Sequence, residues 1–535
     1  MLAWAKERRA EPAATSRPPN VLFIVADDLG IGDLACYGNP YVSTPRLDRL
    51  AAEGIRLTDY YAASPLCAPS RAALLTGRYN HRTGAVDVSS NRGIDRIALS
   101  EKTFGDYFRH ARYATALIGK WHNGLYHPRY LPHERGFDLF YGFANGGHDY
   151  WQWHLMRNGQ TENADGRYLT DALTDEAIAF VEKNRDRPFA LFLAHPAPHS
   201  PFQAPQALID AYLKKGEGKY GRAVATIYAM IEAMDTGVGR VLDRLEELGL
   251  HDDTWIVFTS DNGAILGNSG EFPGESTDRF HGPFRGNKDT VFEQGIRVPA
   301  IVSWRGKLPS GALLSTPVHG CDWLPTFLAN VDRPLLDSGK PFDGEDVTAL
   351  LKGQRVVGLE NRALPFQKNR YTPVAHSNAA LRKGPWKLVW PAVKPTQQKD
   401  NVRDGPSYNR GIVYPHWEMP LDPEIPLHAS TESLSPQLYH LPDDPSESVD
   451  LAARHPETVR ALQADYDAWF AAVSAEWTLA NREVREEDTV YWSDRSPPDP
   501  RVLFADFWRW QGTGKDPEKD DPLTVFRGYW SYPKK

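Results

Sequence analysis

The stretch Asn20-Val21-Leu22-Phe23-Ile24-Val25-Ala26-Asp27-Asp28-Leu29-Gly30 decides the fold class. From Val21 to Ala26 every side chain is apolar, with no polar alternation. That is the pattern of a strand covered on both faces inside a parallel sheet. The run stops at two aspartates and a glycine, a turn composition. Three more runs have this texture: Trp255-Ile256-Val257-Phe258-Thr259-Ser260, which stops at Asp261-Asn262-Gly263; Phe189-Ala190-Leu191-Phe192-Leu193-Ala194; and Pro299-Ala300-Ile301-Val302-Ser303-Trp304. Between them, residues 222–248 place Ile227, Ile231, Met234, Val238, Leu242, Leu245 and Leu248 at helical steps, with Gly249 as the C-cap. Strand–helix alternation predicts an α/β domain with a large, mostly parallel central sheet flanked by helices, over residues 20–369.

The texture changes after residue 369. Ala379 to Trp390 reads as two short strands around a Gly384-Pro385 turn. A loop rich in proline and aspartate follows, then a strand at 437–441 and a helix at 456–473. Residues 370–476 are therefore predicted to form a small α+β domain with an antiparallel sheet. Residues 1–19 read as an N-terminal tail. Residues 477–535, with Trp508, Trp510 and Trp530, read as an aromatic-rich wrapping extension. No internal repeat is visible.

Composition narrows the function classes. At 535 residues, 41% hydrophobic and 24% charged, the chain can bury a large core. Its formal net charge of −8 is spread along the sequence, which argues against nucleic acid as a partner. No apolar run reaches the ~18 residues of a membrane span. The start has basic residues but no apolar core of about 7–15 residues, so it is not an intact signal peptide. The expected location is periplasmic or secreted if a signal was removed, and cytoplasmic otherwise. The three cysteines, Cys36, Cys67 and Cys321, form no disulfide framework. Nothing in the sequence fixes the oligomeric state.

Two strands each deliver a pair of oxygen side chains, Asp27-Asp28 and Asp261-Asn262, to one edge of the sheet, where ligands of open α/β sheets bind. Either pair alone reads more readily as turn chemistry; both together, with Cys67, suggest a hard cation such as Ca²⁺ or Mg²⁺. Cys67 opens the run Cys67-Ala68-Pro69-Ser70-Arg71, which continues to Leu75-Thr76-Gly77-Arg78. A helix N-terminus there would favour an anion and lower the pKa of a thiol. Taken alone, such a cysteine reads equally as a buried helix-start residue that packs and as a nucleophile.

This stretch closely resembles the formylglycine signature of the type I sulfatases, of the alkaline phosphatase-like superfamily. Five further blocks resemble that family in the same order: NVLFIVADDLGIGDLACYG, ALIGKWHNG (116–124), PHSPF (198–202), IVFTSDNG and GPFRGNKDTVFEQGIRVP (282–299), with LYHLPDDPSESVDLAARHPE resembling its C-terminal module. Taken singly, Lys120, His122, His199 and Lys288 read as solvated charges and satisfied polar residues. Their place in these blocks lifts them to site candidates.

The resemblance implies an alkaline phosphatase-like fold and sulfate-ester hydrolysis. It implies that a formylglycine-generating enzyme oxidises Cys67 to an aldehyde before folding. One hydroxyl of the hydrated aldehyde attacks sulfur, and the other loses its proton and expels sulfate. Asp27, Asp28, Asp261 and Asn262 would hold Ca²⁺ (Mg²⁺ is the second choice) with one oxygen of residue 67. Arg71 and Lys120 would stabilise that oxygen, and His122 would act as base. Lys288 and His199 would bind sulfate and protonate the departing oxygen, with the donor of the two left open.

One departure concerns Gly147-His148-Asp149, where some members carry serine ahead of the His-Asp pair. This makes His148 a weaker candidate. The loop that follows, with Trp151 and Trp153, could stack on sugar rings or simply pack; His376 is a further substrate-side candidate. The blocks look like those of bacterial polysaccharide-directed members, so the expected substrate is a sulfated carbohydrate, desulfated at or near a chain end. Two alternatives are a phosphonate or phosphodiester hydrolase of the same superfamily and an inactive sugar-binding relative. Asn262 opposes the first, because an amide oxygen suits calcium. The intact set Cys67, Arg71, Lys120, His122, His199 and Lys288 opposes the second.

Overall fold

A computed structural model describes residues 17–88, 95–125, 127–267, 271–369, 373–391 and 435–492. Ten strands form one sheet, in the order Ala312–Leu314, Ile55–Leu57, Ala300–Ser303, Thr254–Ser260, Asn20–Ala26, Phe189–Ala194, Ala114–Lys120, Leu139–Phe143, His154–Arg157 and Gln160–Asn163. The five from Thr254–Ser260 through Leu139–Phe143 are parallel. Ala300–Ser303 corrects one expectation: it runs antiparallel to both neighbours. Its apolar run reports cover on both faces, not strand direction.

The opening strand explains the layering. Leu22, Ile24 and Ala26 join one buried cluster with the helices Leu169–Lys183 and Arg222–Glu247; Val21, Phe23 and Val25 join another with Cys67–Thr76, Phe104–His110 and Trp323–Ala329. Alternate side chains leave a strand on opposite faces, so a run with no polar residue must have helices on both. The Arg222–Glu247 helix ends as its sequence predicts, with Gly249 at φ +67° just beyond it.

The small sheet is antiparallel throughout, in the order Ala363–Gln367, Ala379–Lys383, Trp386–Trp390, Gln437–His440. Its first strand lies ahead of the expected division at residue 369. The terminal helix, expected at 456–473, spans Pro456–Trp492 and so passes the expected boundary at 476. Packing partners follow it as far as Val484. Leu462 and Tyr466 pack on the small sheet, Val473 on Ala73 and Tyr79, and Ala480 and Val484 on Ala98 and Tyr130. Glu476 pairs with Arg78 and Arg82, which follow the Cys67 helix. Residues 1–16 of the expected N-terminal tail, the loop at 392–434, and Trp508, Trp510 and Trp530 lie outside the described residues. Among the described residues, no helix is long and apolar enough to cross a membrane.

Candidate active site

Register assembles the site. Ala26 pairs with Ser260, so the Asp27-Asp28 and Asp261-Asn262 turns leave adjacent strands side by side. The Asp28 N–H donates to Asp261 Oδ1 (3.2 Å), and Asn262 Nδ2 donates to Asp28 Oδ1 (2.7 Å). On the other flank Val25 pairs with Ala194, and Ala194 with Gly119. The loop carrying His199 and the strand end carrying Lys120 therefore reach the same edge. The helix Cys67–Thr76 starts there with Cys67 and aims Arg71 inward. The long loop after Asn262 returns with Lys288.

Three cations meet three carboxylates in this buried space. Lys120 Nζ lies 2.6 Å from Asp27 Oδ2. Lys288 Nζ lies 2.7 Å from Asp28 Oδ1. Arg71 Nε donates to Asp261 Oδ2 (2.8 Å) and Nη1 to the Lys120 carbonyl (3.0 Å). Arg71 Nη2 keeps no hydrogen-bond partner and lies 3.9 Å from Asp27 Oδ2. Ligand atoms of Asp27, Asp28, Cys67 and His199 lie within 4.8 Å of one another. The structure thus brings together all ten expected catalytic and metal residues except His122 by these links. His122 joins through the neighbouring glycines, Gly146 lying against its ring and Gly147 against that of His199.

Protonation follows from burial and neighbours. Burial would raise the Asp28 carboxyl, but Lys288, His199 and Lys120 outweigh it and bring it down to about 2. Burial, with Asp27 adding to it, pushes Asp261 up to about 6 despite Arg71. Burial and then Lys120 and Arg71 hold His122 neutral, well below its usual range. Burial with Lys288 and Lys120 brings His199 down to about 3. Burial opposes the charge on Lys288, yet Asp28 and Cys67 keep it well above the usual lysine range. The Cys67 thiol is raised, not lowered as its helix position suggests. Burial exceeds the pull of Lys120 and Lys288, and Asp27 and Asp261 add to it. A protonated thiol is a poor nucleophile.

Two buried side-chain oxygens, Asp27 Oδ1 and Asn262 Oδ1, have no hydrogen-bond partner. With Asp28 and Asp261 they make an all-oxygen donor set, which fits a hard divalent cation. His199 also stands in the group, which sequence reading placed only in catalysis. Its Nδ1 donates to the Ser200 carbonyl (2.5 Å), so Nε2, 3.8 Å from Asp28 Oδ2, is the atom that faces the site.

The substrate-side candidates separate. A Cβ on Gly146 would stand 2.6 Å from His122 Cε1, and one on Gly147 3.4 Å from His199 Cε1. This glycine pair therefore lies against both histidines. His148 itself turns to its own loop: Nε2 accepts from the His154 N–H (2.9 Å) and the ring stacks on Phe143. Trp151 is 39% exposed and tilts against Tyr168. Trp153 corrects the expectation of a sugar platform: it is 1% exposed, and its Nε1 donates to the Arg167 carbonyl (2.9 Å). It belongs to the core and offers no ring face to a ligand. His376 pairs with Asp467 (2.6 Å) and stacks on Trp390, joining the small sheet to the terminal helix.

Sequence reading missed the pair Asp33–Arg279, both buried, with Arg279 Nε 2.6 Å from Asp33 Oδ1 and Nη2 2.7 Å from Oδ2. Asp33 also accepts from the Gly30 N–H (2.8 Å), and Arg279 donates to the Ile265 carbonyl (2.9 Å). The pair ties the loop after Asp28 to the loop after Asn262. A charge hidden in a turn sequence gives no periodic signal; only the 246-residue separation brought together shows it.

The sequence pattern of the Sulfatase family matches residues 19–332. N-acetylgalactosamine-6-sulfatase of Sus scrofa is 31% identical over 478 residues, covering 84% of this chain and 84% of that protein. Steryl-sulfatase of Mus musculus is 36% identical over 440 residues, covering 64% of this chain and 67% of that protein. Among solved structures, Ps i-CgsB in complex with k-i-k-neocarrahexaose superposes with a TM-score of 0.70 at 27% identity, covering 89% of this chain and 97% of that one.

Proposed function

Because the chain belongs to the sulfatase family, and is a sulfuric ester hydrolase, we propose that it removes sulfate from a carbohydrate by formylglycine chemistry at residue 67 with a bound calcium ion. The observation that carries the chemistry is the meeting of Cys67 with Asp27, Asp28 and His199 within 4.8 Å, beside Lys120 and Lys288. Support for a sugar comes from two relatives: the N-acetylgalactosamine-6-sulfatase, and the structure solved with a neocarrahexaose. Steryl-sulfatase, at similar identity, makes a steroid sulfate the competing outcome of any substrate screen.

Formylglycine made from Cys67 would supply, as its hydrate, a nucleophilic hydroxyl and a second hydroxyl on the same carbon. Asp27, Asp28, Asp261 and Asn262 would hold calcium, which would supply Lewis acidity and the positive charge that the balanced side chains do not. The protein's own residues do the rest. Arg71 has an unpartnered Nη2 for the oxygen on residue 67, and Lys120 stands beside it. His122 is neutral and its buried Nδ1 has no hydrogen-bond partner, which makes it the candidate base, although burial, Lys120 and Arg71 oppose a charge on its ring. Lys288 is charged and faces Asp28, where it can bind a sulfate oxygen or the departing oxygen. His199 spends its Nδ1 proton on Ser200, so it donates from Nε2 only as an imidazolium. Of the two donors left open by sequence, Lys288 enters the reaction already protonated.

The test is direct. Sulfate release is measured over a panel of sulfated oligosaccharides and steroid sulfates, beside the mass of the peptide containing residue 67. Release from a sugar sulfate with an aldehyde mass supports the reading. Release from steroid sulfates alone, or full turnover with an unmodified cysteine, refutes it.

A further inference from the structure

The module that contains Glu447 belongs to the small domain, yet its contacts go to the catalytic loop. Asp444 builds a turn there: its Oδ2 accepts from the N–H groups of Ser448 and Val449 (both 2.8 Å), and its carbonyl accepts from the Glu447 N–H (3.2 Å). Glu447 is left at φ +52°, a conformation that side chains other than glycine rarely hold. Its side chain is completely buried, as are those of Glu293 and Lys387.

From this turn Glu447 reaches both ends of one loop. Its carbonyl accepts from Arg285 Nη1 (2.9 Å), and its Oε2 accepts from the Glu293 N–H (2.7 Å). Lys387 Nζ lies 2.8 Å from both Glu447 Oε1 and Glu293 Oε1, closing a three-member buried cluster. Residues 285–293 carry Lys288. Within the loop, the Gln294 N–H donates to the Arg285 carbonyl, the Lys288 N–H to Ala264 and the Asp289 N–H to Pro65, two residues before Cys67. The loop is thus tied to the metal turn, to the approach to Cys67 and, at its two ends, to Glu447.

A buried charge cluster is a weak device for stability, because desolvation offsets much of the attraction; in some proteins its gain is in fixing one arrangement. Here the arrangement fixed is that of a site lysine. We propose that Glu447 is a positioning residue for turnover: it fixes both ends of the 285–293 loop and so delivers Lys288 to Asp28 beside residue 67. The clamp rests on geometry alone; the role of Lys288 in turnover rests on the sulfatase reading.

The experiment uses the full chain, matured with its formylglycine-generating enzyme. Hydrogen exchange in peptides covering 285–296 is compared between wild type and Glu447→Ala. Exchange there should accelerate about tenfold or more while the Arg222–Glu247 helix keeps its protection. Unchanged exchange in the loop overturns the clamp, whatever the activity. Turnover of 4-nitrophenyl sulfate is then measured for Glu447→Ala and for Arg285→Leu, which leaves the buried cluster whole. Each should lower kcat about tenfold or more, the scale of a displaced catalytic group. In a Lys288→Ala background the same changes should alter kcat by less than about twofold, because the residue they position is gone. Equal losses in both backgrounds would show a general effect on the domain and overturn the proposal. Asp465→Asn, which loosens only the Lys383–Asp465 pair of the small domain, should leave kcat unchanged. A wild-type protein that releases no sulfate from any ester would refute the sulfatase reading, while the exchange comparison still decides the clamp.

Discussion

Trp151 and Trp153 stand two residues apart on one loop in opposite environments: Trp151 is 39% exposed against Tyr168, and Trp153 is 1% exposed with its indole N–H held by Arg167. The two therefore have different fates on mutation. Trp153→Ala should cost about 3–5 kcal/mol of stability, the range for a buried aromatic. Trp151→Ala should leave the melting temperature nearly unchanged and weaken sugar-sulfate turnover by about 1–3 kcal/mol if it contacts the sugar. Hydrolysis of a small aryl sulfate should change much less. Equal losses on the sugar and aryl substrates would mean that Trp151 only packs.

Cys67→Ala should abolish turnover and leave the fold intact, since a small side chain is lost from a helix start. Cys67→Ser should be nearly as inactive, because a sulfated serine lacks the second hydroxyl that expels sulfate. Sustained multiple turnover by the serine variant near the wild-type rate would sink the formylglycine mechanism.

Chelation should remove activity, and calcium should restore it better than zinc. Asp27 Oδ1 and Asn262 Oδ1 are unpartnered oxygens, and the donor set with Asp28 and Asp261 is oxygen throughout. Elemental analysis of active protein is the check. Stoichiometric zinc or manganese with no calcium would overturn the assignment and favour phosphodiester or phosphonate hydrolysis.

Arg279→Met should destabilise the protein by about 3–5 kcal/mol, because it strands the buried Asp33 carboxylate. It should also weaken calcium retention, since the pair joins the loops that follow the proposed donors Asp28 and Asn262. Thermal unfolding and calcium titration test both. Normal calcium affinity in a destabilised protein would confine the pair to a structural role.

Asp235 gives a pH-dependent stability. It accepts from the N–H groups of Arg46 (3.1 Å) and Leu47 (2.8 Å), at the start of the helix Pro45–Glu53. Burial pushes its carboxyl up to about 6, against 3.8 for a free aspartate. A raised carboxyl binds its proton more tightly folded than unfolded. Its contribution is complete below the unfolded value and is lost as pH rises through about 6. Asp235→Asn should therefore reduce the loss of stability between about pH 4 and about pH 7 by up to about 3 kcal/mol. Parallel wild-type and variant stability curves over that range would refute the assignment.

The sequence by itself determined the layered α/β core and which residues gather at its edge. Val21 to Ala26, short, apolar and rich in branched side chains, reads as a strand with cover on both faces, and Asp27-Asp28 follow at its end. The Cys67 segment likewise carried its reading locally. The tertiary structure decided what depends on distant partners. It placed Ala300–Ser303 antiparallel, since an apolar run carries no direction. It extended the terminal helix to Trp492, because Ala480 and Val484 find Ala98 and Tyr130 far back in the chain. It raised the Cys67 thiol, because burial and carboxylates from two other strands outweigh the helix terminus. It put Trp153 in the core and Trp151 at the surface, although both are tryptophans of one loop. It joined Glu447 to Glu293, 154 positions away. Local pattern records which residues can form an element or supply a ligand; burial, charge state and pairing are sums over neighbours that only folding brings together.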